Sequence, residues 1–131
     1  MIKVLAIGGL ALAISAGSAY AAGDAAAGET VFKKCAMCHA IGPGATNRLG
    51  PELNDVVGRT AGTAAGYRYS NAMVSAGTGG LVWTPDKLEV WLKKPRDFVV
   101  GTNMTFAGLA DQAYIDNVIA YLLTFSPGYE P

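Results

Sequence analysis

The sequence predicts an all-α fold, a few helices joined by long ordered loops. Three observations carry this reading. Apolar or small residues recur at helical spacing in separate stretches: at 27, 28, 31, 32 and 35; at 88, 91 and 92; and at 114, 115, 118, 119 and 122. No stretch shows the apolar–polar alternation of a half-buried strand. Between residues 40 and 66 periodicity is lost, and Gly42-Pro43-Gly44, Gly50-Pro51, Gly58, Gly62 and Gly66 punctuate the chain. A loop of that length is unusual in a compact domain unless it wraps something.

The first residues stand apart from this domain. Lys3 supplies a positive start, Val4 to Ile14 is an apolar run, and Ala19-Tyr20-Ala21 is a small-residue cleavage site. Residues 1–21 therefore read as a secretory signal peptide, with the domain at 22–131. The apolar run is short for a membrane span, which needs roughly 20 apolar residues. The mature chain would be exported, in bacteria to the periplasm. Of the ten basic and ten acidic residues only Lys3 is lost with the leader, so the mature net charge is about −1. That balance argues against a nucleic-acid partner.

Each element has its own signal. Asp24 is a plausible N-cap for a helix that follows the stripe to Cys35. A short helix is expected from about Ser70 to Ala76, with Gly77-Thr78-Gly79-Gly80 as a turn. Thr84-Pro85 is a strong helix start, with Thr at the cap and Pro at the first helical position. That helix should run to Lys93 and end at Pro95. Arg96 to Gly108 reads as irregular. A last helix should begin near Asp111 and reach about Phe125, before Ser126-Pro127-Gly128.

The chemistry centres on Cys35-Ala36-Met37-Cys38-His39. The spacing Cys-x-x-Cys-His is the attachment signature of a c-type haem. Each thiol can add to one vinyl group, forming two thioether bonds, and the adjacent His39 can ligate iron from one side. Other readings are weaker. A structural zinc site takes four Cys or His ligands, and the chain has two Cys and one His. A thioredoxin-like site belongs in a βαβ context. A disulfide across so short a loop would stabilise little. The long loops then have an object to wrap: one covalently bound haem.

The opposite side of the iron needs Met, another ligand, or an open position. Met37 lies between the two cysteines and cannot reach it. Met73 sits in the short helical piece. Met104 sits in the loop Gly101-Thr102-Asn103-Met104-Thr105-Phe106. On the residues alone Met104 is favoured, and Met73 and an open site remain alternatives.

The ordered set of residues beyond the motif resembles class I cytochrome c, the short soluble electron carriers of bacteria and mitochondria. The likeness runs from Gly28 and Phe32 through Cys35, Cys38 and His39 to Gly50-Pro51-x-Leu53. It continues through Gly58-Arg59-x-x-Gly62, Tyr69, Trp83, Pro95, the Gly101–Gly108 loop and Ala120-Tyr121-Leu122. The resemblance implies Met104 as the sixth ligand. It implies that the Pro51 carbonyl accepts a hydrogen bond from His39, and that Arg59, Tyr69 and Trp83 hold the haem propionates. It also implies that Gly28 and Phe32 meet the last helix near Val118 and Tyr121. Two residues depart from the pattern: Trp91 stands where many relatives have Tyr, and Asn103 where many have Lys.

An iron with both axial positions filled has no place for substrate, which leaves one-electron transfer and no enzyme activity. The expectation is a soluble periplasmic carrier. It would act between a quinol-oxidising cytochrome complex and a terminal oxidase or photosynthetic reaction centre, as a monomer in transient contact. Lys33, Lys34, Arg48, Lys93, Lys94 and Arg96 are candidates for a basic rim at the haem edge. Two competing readings are a mono-haem peroxidase or gas-binding protein with an open site, and a dedicated electron-accepting subunit of a dehydrogenase.

Overall fold

The computed structural model describes residues 23–131. The expected signal peptide at 1–21 lies outside the described residues. Five helices are present among them: α1 (Ala25–Phe32), α2 (Asn71–Thr78), α3 (Pro85–Lys93), α4 (Pro95–Phe98) and α5 (Gln112–Thr124). An isolated antiparallel bridge, Thr60 to Val82, stands in place of any sheet among the described residues.

The helix starts follow from capping chemistry. The Asp24 carboxylate accepts from the backbone N–H groups of Ala26 and Ala27 at 2.9 and 3.2 Å. The Ser70 hydroxyl accepts from Met73 N at 3.1 Å, and Asp111 from Ala113 N at 2.8 Å. Each side chain satisfies a donor that the first helical turn leaves without a partner. Thr84 caps α3, with Pro85 at the first helical position.

The frame of the molecule is α1 crossed on α5. Gly28 lets the two backbones meet: a Cβ there would collide with the carbonyl oxygen of Asn117. The crossing is fastened beside it. Asp24 N donates to Asn117 Oδ1 at 2.9 Å, and the Phe32 and Tyr121 rings pack at a centroid distance of 5.3 Å. The expected contact of Gly28 and Phe32 with the last helix is therefore present. Ile115 and Ile119 of α5 have no exposure at all, and Val118 and Leu122 are buried beside them. The core continues through Leu88, Trp91 and Leu92 of α3 to Val31 and Phe32 of α1.

Three boundaries differ from the sequence reading. The first helix ends at Phe32, and residues 33–38 continue as turns. Cys35 N bonds Phe32 O at 2.7 Å, and His39 N bonds Cys35 O at 2.9 Å. α2 runs on to Thr78, through half of the expected Gly-rich turn. Gly77 serves packing there, since a Cβ on it would collide with the Ala61 carbonyl oxygen. Pro95 does end α3, but it also opens the single turn α4 inside a stretch expected to be irregular. Lys94, forced out of helical geometry before proline, turns the chain (φ −161°, ψ 83°), and Pro95 then sits at the first helical position, where its missing N–H costs nothing.

The α1–α5 crossing yields a direct test. Gly28→Ala is expected to lower unfolding stability by about 1–3 kcal/mol through overpacking. Gly128→Ala, at a position with open space around it, should change stability by less than about 0.5 kcal/mol. Denaturant unfolding of the two variants beside the wild type checks both.

Candidate functional site

Loops and helices together enclose a cavity of about 560 Å³, within the usual range for a small-molecule or cofactor site. Its walls are mostly apolar: Phe32, Leu53, Val56, Leu88, Trp91 and Leu92 among others. Every sequence-predicted site residue lines it. Cys35, Cys38 and His39 come from the turns after α1, Pro51 and Arg59 from the long loop, and Tyr69 and Trp83 from either side of α2. Met104 comes from the loop after α4.

The two cysteines are not joined in a disulfide. Burial, and then the neighbouring Cys38, push the Cys35 thiol up to about 11. That is opposite to a redox-active Cys-x-x-Cys, which works through a depressed thiol pKa. No cluster of three or more His, Cys, Asp or Glu residues suited to a metal ion occurs among the described residues. The donor set instead fits a haem: two thiols at vinyl-addition spacing, one imidazole, a thioether and an apolar pocket.

His39 is held from two sides. Its Nδ1–H donates to the Pro51 carbonyl at 2.7 Å. Burial holds the imidazole below its ordinary pKa. The Pro51 bond opposes that shift and the Arg59 charge adds to it. A neutral ring with its proton on Nδ1 leaves Nε2 with a lone pair for a metal. The ring also lies flat against Gly50, where a Cβ would come within 2.7 Å of Nδ1 and 2.8 Å of Nε2. Gly50 stood in the sequence as half of a Gly-Pro turn signal and as part of the family likeness, and its contact with His39 had no sequence signature.

The Met104 loop is fixed at both ends. Thr102 N bonds Val99 O at 3.1 Å, and Leu109 N bonds Leu92 O at 2.8 Å. A Cβ on Gly108 would collide with the Lys93 carbonyl oxygen, and Gly108 itself has φ +116°. Arg96 reaches from α4 to the Thr105 carbonyl at 3.2 Å, and the Thr102 hydroxyl accepts from Met104 N at 3.2 Å. Met73 also lines the cavity, but from the core side, buried within α2.

Arg59 donates to the Glu52 and Asn54 carbonyls at 3.2–3.3 Å and lies 3.6 Å from the Glu52 carboxylate. The Tyr69 hydroxyl accepts from Ala64 N at 3.0 Å. Trp83, Trp91 and Phe98 pack as an aromatic cluster, with Trp83 and Trp91 centroids 5.1 Å apart. Trp91 thus closes this wall with an apolar ring.

Such a pocket, with a Cys-x-x-Cys-His turn at its edge and a methionine loop on its wall, defines a c-type haem protein. The chain belongs to the cytochrome c family: the model of that family matches residues 25–126. Its relatives agree. It is 50% identical over 109 residues to cytochrome c2 of Agrobacterium tumefaciens, covering 83% of this chain and 97% of that one. It is 53% identical over 100 residues to cytochrome c2 of Afifella marina, covering 76% and 81%. The solved cytochrome c2 of Rhodospirillum centenum superposes with a TM-score of 0.77 at 42% identity, covering 80% of this chain and all of that one. As a class I cytochrome c the protein carries one covalently attached haem c, and it is an electron carrier, not an enzyme.

Because the imidazole occupies the space a side chain would need, Gly50→Ala is expected to cost the holoprotein about 1–3 kcal/mol. It should also displace the His39 ring resonances in the NMR spectrum. Denaturant unfolding and one-dimensional NMR check the two effects together.

Proposed function

We propose that the mature chain, cleaved after Ala21, works as a periplasmic monomer. It would pass single electrons from a quinol-oxidising cytochrome complex to a terminal oxidase or a photosynthetic reaction centre. Cys35 and Cys38 would hold the haem, and His39 and Met104 would ligate its iron. Pro51 orients His39, and Arg59, Tyr69 and Trp83 hold the propionates. The observation that carries this reading is the pairing of a pre-oriented His39 with a Met104 loop tied down at both ends. No helix among the described residues is long and apolar enough to cross a membrane.

When bound, the haem would supply one-electron chemistry at its iron. The residues decide how easily. The Pro51 carbonyl fixes the His39 tautomer and makes the ring a stronger base. The Met104 thioether, a soft ligand, favours the reduced state and raises the potential. The apolar walls exclude water and disfavour additional charge. Arg59, Tyr69 and Trp83 offer the donors that buried carboxylates require. With both ligand positions supplied by the protein, nothing is left to bind a substrate.

The rim of the cavity has a mixed character. Lys34 borders it, and so do the exposed Met37 and Leu49, at 77% and 79% of full exposure. Of the other candidate cations, Lys93 pairs with Glu89 and Lys94 with Asp97. Arg48 and Arg96 donate to the Ala36 and Thr105 carbonyls. The two exposed ion pairs cancel part of the rim's charge, whereas Arg48 and Arg96, bonded to neutral carbonyls, keep theirs; docking then combines a small apolar contact with modest electrostatic guidance, as suits a transient redox encounter.

Two measurements test this reading. Ferric wild-type protein should show the weak long-wavelength band of a Met–iron bond, and Met104→Ala should lose it. A band surviving in the variant would exclude Met104 as ligand. In reduction by a purified quinol-oxidising complex, ionic strength is raised from about 0.01 to about 0.15 M, shortening the screening length from ~30 to ~8 Å. The association rate should fall by less than about tenfold, whereas a strongly steered encounter would fall further.

A further inference from the structure

The backbone behind His39 is a strap, residues 47–51, whose outer side has little packing: Gly50 is buried against the imidazole, but the side chains beside it lie outward. Arg48 and Leu49 are exposed and Gly50 has no side chain. Polar ties do the work of packing. The Tyr67 hydroxyl donates to the Leu49 carbonyl at 2.6 Å. Asn47 Nδ2 donates to the Ala65 carbonyl at 2.9 Å, and Asn47 Oδ1 accepts from Glu52 N at 3.0 Å. On the inner side, Gly50 N donates to the Cys38 carbonyl at 2.8 Å, and the Pro51 carbonyl accepts the hydrogen bond from His39 Nδ1–H. Tyr67 is itself steadied by an edge contact with Tyr69 at 4.8 Å.

We propose that Tyr67 and Asn47 are positioning residues for electron transfer, which pin this strap to the 64–69 segment and thereby set the strength of the His39–Pro51 hydrogen bond. This rests on His39 being an iron ligand. The leverage is short. The Leu49 carbonyl is two residues from Pro51, and the peptide between them is the one that presses on the imidazole. Releasing the strap lengthens the bond to His39 Nδ1. The imidazole becomes a weaker base, the ferric form loses stabilisation, and the reduction potential rises.

The test uses the holoprotein and the variants Y67F, N47A and T63A. The first removes one hydroxyl and keeps the ring against Tyr69. The last removes a hydroxyl bonded to the Thr60 carbonyl in the same loop region, away from the strap. Readouts are the reduction potential, the solvent exchange of the His39 Nδ1 proton by NMR, and thermal unfolding. Y67F and N47A should raise the potential and speed exchange of that proton, by about fivefold for loss of one ordinary hydrogen bond. T63A should leave both unchanged. An unchanged potential in either strap variant overturns the proposal, and so does a shift that T63A shares, because loosening of the loop in general would then suffice. The ferric Met–iron band serves as the separator. If it persists in Y67F, the axial ligation stands whatever the potential does, and only the strap is under test.

Discussion

The structure depends on one constrained side chain. The His39 imidazole is held edge-on by a 2.7 Å hydrogen bond to the Pro51 carbonyl and face-on by Gly50, which has no side chain to push it away. Both contacts come from consecutive residues of a loop that is itself bonded back to Cys38. Haem attachment, ligand orientation and loop conformation are thus one unit. A change at any of the three is felt by the other two, because the ring has no alternative place that keeps the hydrogen bond.

Around that unit the helices supply rigidity. The α1–α5 crossing fixes the start of the attachment turn, since Cys35 follows α1 by only three residues and bonds directly to Phe32. The α3–α4 corner fixes the Met104 loop through Leu92, Lys93 and Arg96. The ligand residues therefore ride on loops, but each loop is anchored to a helix within a few residues. Such anchoring resists rearrangement of the loops, which is what low-reorganisation electron transfer at the proposed ligand pair would require.

Much of this was legible in the sequence, for identifiable reasons. Asp24, Ser70, Thr84 and Asp111 announced the helix starts because capping is local chemistry. Cys35, Cys38 and His39 announced the haem because two covalent bonds and one ligand require fixed spacing. Met104, the proposed second ligand, stood out from Met73 only through the family resemblance, since a long-range approach leaves no local pattern. Gly77 was read as a turn residue and proved to be a contact residue, because glycine signals flexibility and close approach with the same letter. Asn47 and Tyr67 escaped notice, and so did the contact Gly50 makes with His39, for a related reason: their partners lie across loops, and no periodicity encodes a contact between two irregular segments. The basic rim illustrates the converse. Lysines and arginines are easily counted, yet which of them pair with a carboxylate is not: Lys93 and Lys94 do, whereas Arg48 and Arg96 bond neutral carbonyls and keep their charge.

The central claim is that both axial positions of the iron are filled by this chain, so that the protein carries electrons and binds no substrate. The most direct measurement is the visible spectrum of the ferrous protein under carbon monoxide at neutral pH. With His39 and Met104 both in place, the spectrum should not change on mixing. Prompt formation of a carbon monoxide complex by the intact protein would mean an open position, and would contradict the account.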